Sequence, residues 1–368
     1  MNAVAPRDTP LRVPLATGEL RVEVAEADWP LDRLCDFAAR NNPKRGFLVV
    51  SKVLGRHWPA RPSEMRAAAA ALAAKIPHDI PGPVLVVGLA ETAIGLAQTV
   101  HEELWRRSGQ HDVHFIHSTR QQLDQAVLCR FEEAHSHASS HLVYWPAIPS
   151  FAPPRSLVLV DDEISTGATL LGLAEALTGC WPGVEAICAA ALTDWSGGDW
   201  IKAMPRPTAS ASLLRGTLDW SPVPHAAGPL PSPGALGTGT CSSSFGRLGL
   251  AEPIDTPPAH LPSVPDHPLR IVGTGEFTYL PFRLAERLEQ AGVDVVVQAT
   301  SRSPARIGGA LRSALAFADN YATEVPNFLY NADPGDGRAT WICHETGADS
   351  IDPALLRALE ADLVAWPA

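Results

Sequence analysis

Apolar residues recur along the first half of the chain with two alternating periods. Leu31, Leu34, Cys35 and Ala38 have the spacing i, i+3, i+4, i+7, which predicts one face of a helix over 31–38. The stretch 46–53 is instead largely apolar, as in a buried strand. Further helices are predicted over 67–76, 92–106 and 170–177, and strands over 84–87, 112–117, 156–160 and 184–192. This alternation predicts an α/β fold with a mostly parallel sheet and flanking helices.

The alternating pattern is interrupted between about residues 196 and 268, where Pro, Gly and Ser are concentrated. Only 211–218 has the pattern of a strand there, so we predict a linker with one strand-like segment. A second α/β pattern follows, with strands over 269–272, 293–298 and 340–343 and helices over 279–290 and 351–363. The predicted organisation is one α/β domain over 17–195, a linker over 196–268 and a smaller α/β domain over 269–368.

Composition narrows the classes of partner. The net charge of −11 argues against a protein that coats nucleic acid or an anionic membrane. No apolar run approaches the roughly 20 residues needed to cross a bilayer, and no signal-peptide core opens the chain. The six cysteines are far apart and include no C-x-x-C pair, which favours reduced thiols in a cytoplasmic protein.

One segment, SLVLVDDEISTGATLL (156–171), carries the strongest chemical signal. Its apolar strand ends in Asp161 and Asp162, at the end of the strand where open α/β sheets bind ligands. Three hydroxyls and a glycine follow, at Ser165, Thr166, Thr169 and Gly167. The predicted helix begins there, and its free N–H groups favour an anion. The segment suits a ligand with sugar hydroxyls and a phosphate; the alternative is an ordinary capped helix beside two solvated acids.

The stretch VLVDDEISTGAT (158–169) resembles the signature of type I phosphoribosyltransferases that binds 5-phosphoribosyl-1-pyrophosphate (PRPP), and is nearest to orotate phosphoribosyltransferase. The resemblance implies that Asp161 and Asp162 are catalytic, hold the ribose 2′- and 3′-hydroxyls, and bind Mg²⁺ through the substrate. It assigns the 5′-phosphate to Glu163, Ser165, Thr166, Gly167, Ala168 and Thr169.

A second strand-to-helix turn, VGLAETAIG (87–95), resembles the pyrophosphate loop of the same enzymes. An ordinary connection between a strand and a helix is the alternative. The candidates for pyrophosphate contacts are Lys52, Arg56, Leu89, Ala90, Glu91 and Thr92. Arg120 is a further candidate, among the catalytic residues. Each of these basic residues is alternatively a solvated surface charge.

The segment 118–141 lies where the family carries a mobile catalytic loop, and its polar composition fits a lid over the reaction. His137 is the candidate acid or base in it. A solvated loop is the alternative, since histidines at 135, 137 and 141 do not have a recognised metal-ligand spacing.

Segments 41–59, 88–95, 132–141 and 300–304 (TSRSP) together resemble a two-part family, in which a phosphoribosyltransferase domain precedes a "TRSP" domain. That family is associated with tellurium-resistance-type gene clusters. The resemblance implies a glycosyltransferase that moves 5-phosphoribosyl from PRPP to an unidentified base-like acceptor and releases pyrophosphate. A regulator that binds PRPP without turnover is the alternative, although the acidic chain has no basic stripe for nucleic acid. The fold often forms homodimers, and the oligomeric state is left open.

One residue departs from the pattern of the family. Ser165 stands where many purine-type enzymes have an acid, which argues against a purine acceptor.

The sequence of the second half is similar to that of the first: 270–285 is similar to 84–97, and WICHETG (341–347) to VLVDDE…TG (158–167). A diverged internal copy is one hypothesis and chance similarity of two α/β patterns is the other. A second ligand site is predicted at Arg302, Asn327, Tyr330, His344 and Glu345, with capping and packing as the alternative.

Overall fold

The computed structural model describes residues 10–40, 42, 45–109, 112–132, 140–223, 244–321 and 325–366. These residues form two compact units, each discontinuous in sequence. Unit 1 holds the described residues within Met1–Met65, Leu214–Gly237 and Thr256–Pro367, and unit 2 those within Arg66–Leu213 and Thr238–Asp255. Residues 17–65 thus belong to the same unit as the C-terminal region. The boundaries 17–195, 196–268 and 269–368 remain a prediction about domains along the chain.

Most of the strands and helices that the sequence pattern predicts are present. The strands are β1 (Leu11–Leu15), β2 (Gly18–Ala27), β3 (Cys35–Ala39), β4 (Phe47–Ser51), β5 (Val84–Gly88), β6 (Val113–His117), β7 (Val127–Glu132), β8 (Ser140–Tyr144), β9 (Ser156–Ile164), β10 (Ala186–Asp194), β11 (Thr208–Pro222), β12 (Leu269–Gly273), β13 (Val295–Ala299), β14 (Ala314–Ala318), β15 (Pro326–Tyr330), β16 (Ala339–His344) and β17 (Asp362–Ala365). The α-helices are α1 (Leu31–Leu34), α2 (Pro62–Lys75), α3 (Ile94–Arg107), α4 (Ala168–Cys180), α5 (Tyr279–Gln290) and α6 (Pro353–Leu359).

Unit 2 is built on a mostly parallel sheet in the order β11-β10-β9-β5-β6. The neighbouring pairs β10–β9, β9–β5 and β5–β6 are parallel. All five residues of β5 are buried, as expected of a strand covered on both faces. Leu170, Leu173 and Leu177 of α4 pack into the same core as the apolar residues of β5 and β9. That packing anchors α4 directly behind the strand end that carries the acids. The α/β fold class is confirmed.

Unit 1 contains a smaller parallel sheet in the order β13-β12-β16-β17. A hairpin of β3 and β4 belongs to the same unit, and its Ala38 and Val50 pack with Leu311, Phe328 and Tyr330. Strands β1 and β2 are antiparallel, and β2 pairs with the second half of β11. The predicted second α/β region is therefore present, and the N-terminal segment packs with it.

Two predicted helices are wrong in part. The helix over 31–38 stops at Leu34, because residues 35–39 pair with β4 as strand β3. The closing helix over 351–363 stops at Leu359, because Glu360 is left-handed (φ 48°), and 362–365 then pair with β16. In both places a neighbouring strand edge binds the segment, and pairing overrides the local helical period.

The predicted linker is more structured than its composition indicates. Its strand-like segment 211–218 lies inside the 15-residue strand β11, which confirms that part of the prediction. Further on, Phe115 of β6 and Leu250 form an isolated antiparallel bridge in unit 2. A Pro- and Gly-rich composition therefore did not exclude strand pairing here.

Candidate functional site

The two acids of the sequence motif lie near the end of strand β9, which continues through Glu163 to Ile164. The first five residues of β9 are buried, and Asp161, Asp162 and Glu163 are half-buried. Asp161 lies opposite Ala191 of β10, and its Oδ1 accepts a hydrogen bond from the Asp162 amide at 2.9 Å. Both carboxyl groups are thus presented at the carboxyl edge of the sheet, where ligands bind in this class of fold.

The hydroxyl-rich turn after β9 leads directly into α4. Gly167 is the N-cap residue, in a left-handed conformation (φ 79°), and a Cβ at this position would lie 2.2 Å from the Trp200 ring. Only glycine fits both restraints. Since Gly167 has no side chain, the first turn of the 13-residue α4 is not capped by its N-cap residue. Thr166 is exposed and Ser165 and Thr169 are half-buried, so hydroxyls and helix amides occur together.

The turn between β5 and α3 lies beside this strand end, because β5 and β9 are neighbours. Leu89 donates its amide to the Val160 carbonyl at 3.0 Å, one residue before Asp161. Gly88 is closely packed, since a Cβ there would lie 2.8 Å from the Ala97 Cβ. The peptide bond between Ala90 and Glu91 is cis. Glu91 and Thr92 are half-buried ahead of the helix, and the pyrophosphate role of the turn stays a prediction.

A buried polar cluster supports the same turn. Ser118 Oγ accepts the Ala90 amide at 2.9 Å and lies 3.1 Å from His141 Nδ1. Arg120 Nη2 donates to His141 Nε2 at 3.3 Å. Because a guanidinium only donates, Nε2 accepts and Nδ1 carries the proton. The cluster joins Arg120, a predicted catalytic residue, to the 89–92 turn.

Ser118 and His141 were not singled out as site residues from the sequence. Ser118 follows β6 at the same sheet edge, and that position is the one signal that would have found it. His141 was placed in a mobile lid, which is wrong at this position. It belongs to β8, is 1 % exposed and stacks on Phe131 with ring centroids 4.7 Å apart.

The rest of the predicted lid is only partly loop. Residues 127–132 and 140–144 form the antiparallel pair β7-β8, so a fully irregular segment is wrong. Residues 133–139, including His137, lie outside the described residues, and the role of His137 stays a prediction. Cys129 on β7 is no candidate nucleophile at neutral pH, because burial raises the pKa of its thiol to about 12.

Lys52 and Arg56 lie in unit 1, whereas the two turns lie in unit 2. Lys52 Nζ donates to the Asp32 carbonyl at 2.7 Å. Arg56 is 3 % exposed, and its Nη1 donates to the Gly275 carbonyl at 2.6 Å. Both side chains thus have partners within their own unit, and their pyrophosphate role stays a prediction.

The five candidates for a second site also lie in unit 1. Tyr330 is a packing residue: its hydroxyl donates to the Ser303 carbonyl at 2.7 Å, and burial raises its pKa to about 12. Asn327 is on the same strand, β15. Arg302 pairs with Asp319 at 3.3 Å. His344 and Glu345 follow one another at the end of β16.

Two further observations concern metal sites and membrane spans. Within the described ranges, no three His, Cys, Asp or Glu side chains are grouped as a metal site. In the same part of the chain, none of the helices combines the length and apolar character that crossing a bilayer requires. The arrangement in unit 2 brings an acid pair and two strand-to-helix turns to one sheet edge.

Three of the solved structures to which part of the chain is similar are phosphoribosyltransferases. Adenine phosphoribosyltransferase from Rhodothermus marinus is 16 % identical, over 50 % of this chain and 95 % of that chain, with a TM-score of 0.33. The enzyme from Trypanosoma brucei is 15 % identical over 50 % and 80 %, with a TM-score of 0.34. Orotate phosphoribosyltransferase from Aeropyrum pernix is 15 % identical over 46 % and 80 %, with a TM-score of 0.29. No curated protein matches the chain.

Family models match both halves of the chain. The model described as "Phosphoribosyl transferase" matches residues 34–217, half of the chain. The model described as "TRSP domain C terminus to PRTase_2" matches residues 259–359. The chain therefore belongs to this phosphoribosyltransferase family of glycosyltransferase-type enzymes, in its form with a C-terminal TRSP domain.

Proposed function

We propose that unit 2 transfers the 5-phosphoribosyl group of PRPP to a base-like acceptor and releases pyrophosphate. One observation carries this proposal: the acid pair at the end of β9 and the turn after β5 belong to adjacent parallel strands. The hydrogen bond from the Leu89 amide to the Val160 carbonyl, 3.0 Å long, joins the turn after β5 to strand β9, one residue before Asp161. A single ligand with a sugar between two phosphate groups matches a sheet edge that presents an acid pair and two turns.

In this proposal the two phosphate-bearing ends of PRPP bind different turns. Asp161 and Asp162 accept hydrogen bonds from the ribose 2′- and 3′-hydroxyls. The 5′-phosphate binds the hydroxyls and amides of residues 165–169, where the positive end of the α4 dipole favours an anion. The pyrophosphate binds the amides of the 89–92 turn.

Breaking the bond from C1 to pyrophosphate leaves positive charge on the sugar and negative charge on the leaving group. The transfer therefore depends mainly on orientation and on electrostatic stabilisation of the departing pyrophosphate. Arg120 is the cation that the proposal assigns to this charge. The Arg120–His141 hydrogen bond (3.3 Å) makes His141 a positioning residue for that guanidinium.

Mg²⁺ fits the donor set of this site. Asp161 and Asp162 are half-buried carboxylates at a strand end, and Mg²⁺ is commonly bound by one or two carboxylates together with substrate phosphates. When bound with PRPP, the ion supplies neutralisation of charge on the pyrophosphate oxygens. The chain's own residues then need only hold the sugar and the phosphate ends.

The acceptor is proposed to be base-like and not a purine. Ser165 occupies the turn at the position where an acid would orient a purine, and a serine hydroxyl does not take up a proton near neutral pH. An acceptor that is already anionic needs no such base. A base contributed by His137 is the alternative within the same proposal.

Calorimetry with PRPP in magnesium buffer tests the proposal on the full chain. We expect saturable binding, and release of pyrophosphate when a panel of anionic and neutral bases is added. The exposed Glu175 lies on the same helix, α4, so Glu175→Gln is the matched control and should bind PRPP as the parent does. Absence of any binding heat for PRPP would contradict the proposal.

A further inference from the structure

The small sheet of unit 1 has the same strand order as the central sheet of unit 2. The orders are β13-β12-β16-β17 and β6-β5-β9-β10, and every neighbouring pair is parallel. The register is also shared. Gly88 lies opposite His117 and Val160, as Gly273 lies opposite Ala299 and Cys343. An antiparallel hairpin follows the second strand of each set, β7-β8 in one and β14-β15 in the other.

The turns at the strand ends share their backbone hydrogen bonds. The residue after each glycine donates its amide to the third strand, Leu89 to Val160 at 3.0 Å and Thr274 to Cys343 at 3.2 Å. The glycine carbonyls accept in the same way, each from a residue just after the second strand at 2.9 Å. These bonds fix equivalent positions one by one along the two segments.

A side-chain hydrogen bond is repeated at the same place. Ser118 Oγ accepts the Ala90 amide at 2.9 Å, and Thr300 Oγ1 accepts the Gly275 amide at 2.8 Å. In both cases the hydroxyl follows the second strand and the amide lies two residues after the glycine. A parallel sheet does not require this contact, so it distinguishes common origin from shared fold class.

A tyrosine at the end of each hairpin repeats two more contacts. The Tyr144 hydroxyl donates to the Gln121 carbonyl at 3.1 Å, and that of Tyr330 to the Ser303 carbonyl at 2.7 Å. Each hydroxyl also accepts an amide two residues further along, at 2.8 Å in both. From these shared contacts we infer that the internal echo in the sequence is a diverged second copy of the phosphoribosyltransferase core.

The second copy differs from the first at the strand end that corresponds to the proposed PRPP site. His344 and Glu345 take the places of the two acids, because Cys343 holds the register of Val160. Gly347 has φ −61°, whereas Gly167 is left-handed. A three-residue 3₁₀ turn, 348–350, follows in place of a 13-residue helix. The second site thus lacks the helix amides that would hold a phosphate.

Acidic side chains line the second strand end. Glu276 and Glu345 are both buried, and the Tyr321 hydroxyl donates to Glu345 Oε1 at 2.7 Å. The Tyr321 ring also lies against the turn, since a Cβ at Gly275 would be 2.9 Å from it. Carboxylates disfavour a phosphate and accept hydrogen bonds from hydroxyl and N–H groups.

His344 independently indicates a ligand. It is 1 % exposed, and its Nδ1 lies 2.8 Å from the Thr346 carbonyl oxygen, which only accepts, so Nδ1 carries the proton. Burial lowers the pKa of His344, which keeps the ring neutral and leaves Nε2 with a lone pair. Within the described part of the chain, this buried Nε2 has no hydrogen-bond partner. A buried acceptor of this kind calls for a donor from a bound molecule.

We propose that this strand end in unit 1 binds an unphosphorylated nucleoside through its hydroxyl and N–H donors. His344 Nε2 and Glu345 accept from the ligand at the position where the first copy presents its acid pair. The choice of a ribose-bearing ligand rests on the function proposed for Asp161 and Asp162. The duplication of the fold does not depend on it.

The test uses the full chain, with adenosine and uridine as probes and ribose 5-phosphate for comparison. In calorimetry at up to about 1 mM ligand, at least one nucleoside should bind and ribose 5-phosphate should not compete with it. Glu345→Gln and His344→Phe should each weaken nucleoside binding at least about tenfold, since a lost hydrogen bond to a buried group costs about that much. If His344→Phe does not fold, Glu345→Gln alone decides.

The double variant Asp161→Asn, Asp162→Asn separates this inference from the proposed function. It should lose PRPP binding and keep nucleoside binding. Loss of nucleoside binding in that variant would place the nucleoside in the first site and overturn the inference. No binding of either nucleoside to the parent protein would overturn it as well, while PRPP binding to the parent would still support the proposed function.

Discussion

Strands β9 and β16 end in the same framework of parallel strands, turns and hairpins, and they present different side chains there. The first end has Asp161, Asp162 and a glycine-led helix, and the second has His344, Glu345 and a short 3₁₀ turn. The shared parts are backbone hydrogen bonds, buried apolar strands and one tyrosine in each copy. The comparison teaches that a few residues at the strand ends carry the chemistry, while the framework tolerates their replacement.

The largest expected effect is a loss of activity when the acids of the first copy are substituted. Asp161→Asn and Asp162→Asn should each lower pyrophosphate release by roughly 10²–10³, as the loss of one transition-state hydrogen bond does. The release of pyrophosphate from PRPP with an accepted base measures this. Glu175→Gln should leave the rate unchanged, and an equal rate in the aspartate variants would remove the functional contrast between the copies.

Alanine substitutions at Gly167 and Gly347, the N-cap residues of the helical turns after β9 and β16, should affect stability unequally. Gly167→Ala puts a Cβ 2.2 Å from Trp200 in a left-handed residue, so we expect a loss of about 2–4 kcal/mol in the free energy of unfolding. At Gly347 the φ of −61° suits alanine, and the nearest atom is the end of the flexible Asp349 side chain. Gly347→Ala should stay within about 1 kcal/mol of the parent. Urea unfolding followed by circular dichroism compares them, and equal losses would contradict the structural difference.

Acid should weaken both units through one buried histidine in each. Burial lowers the pKa of His57 in unit 1 to about 3 and that of His101 in unit 2 to about 4. Both pKa values lie below the unfolded value of 6.5. The unfolded chain therefore takes up protons first, and stability falls as the pH drops below 6.5.

The expected slope is about 1.4 kcal/mol per pH unit for each histidine, hence about 2 kcal/mol each between pH 6.5 and 5. Urea unfolding at the two pH values measures it. His57→Gln and His101→Gln should each reduce the dependence, and His260→Gln, at an exposed position, should not. An unchanged pH dependence in both buried variants would refute this assignment.

The smallest expected effect tests the similarity of the copies. Tyr144→Phe and Tyr330→Phe each remove one hydroxyl that donates to a carbonyl and accepts an amide. Both should lower the free energy of unfolding by about 1–2 kcal/mol. Chemical denaturation of the two variants gives the comparison, and a loss at one tyrosine alone would weaken the case for equivalent positions.

Much of this protein follows from local patterns in the chain. The continuous apolar runs of β5 and β9 predict buried parallel strands, and the acids and hydroxyls of 161–169 follow one of them. Parallel strands place their carboxyl ends at one edge, so adjacency of the two turns follows once β5 and β9 pair. The strand-like segment 211–218 was predicted from its local apolar pattern in the same way, even within a Pro-rich stretch.

Other features depend on contacts between residues far apart in sequence. The helical spacing of residues 31–38 was overridden by pairing with β4, and residues 362–365 became a strand because the edge of β16 binds them. His141 resembles a loop residue in the sequence, and the antiparallel bridge between Thr119 and Leu142 brings it to Ser118 and Arg120.

The sequence by itself determined the fold class, the acid pair with its hydroxyl-rich turn, and the similarity between 84–97 and 270–285, because each is encoded in neighbouring residues. The tertiary structure alone decided that Lys52 and Arg56 belong to the unit of the C-terminal region, and that His344 has a buried unpartnered nitrogen within the described residues. It also decided which hydrogen bonds the two copies share. The physical reason is that strand pairing, burial and long-range hydrogen bonds depend on the whole packed chain, whereas period and motif are local.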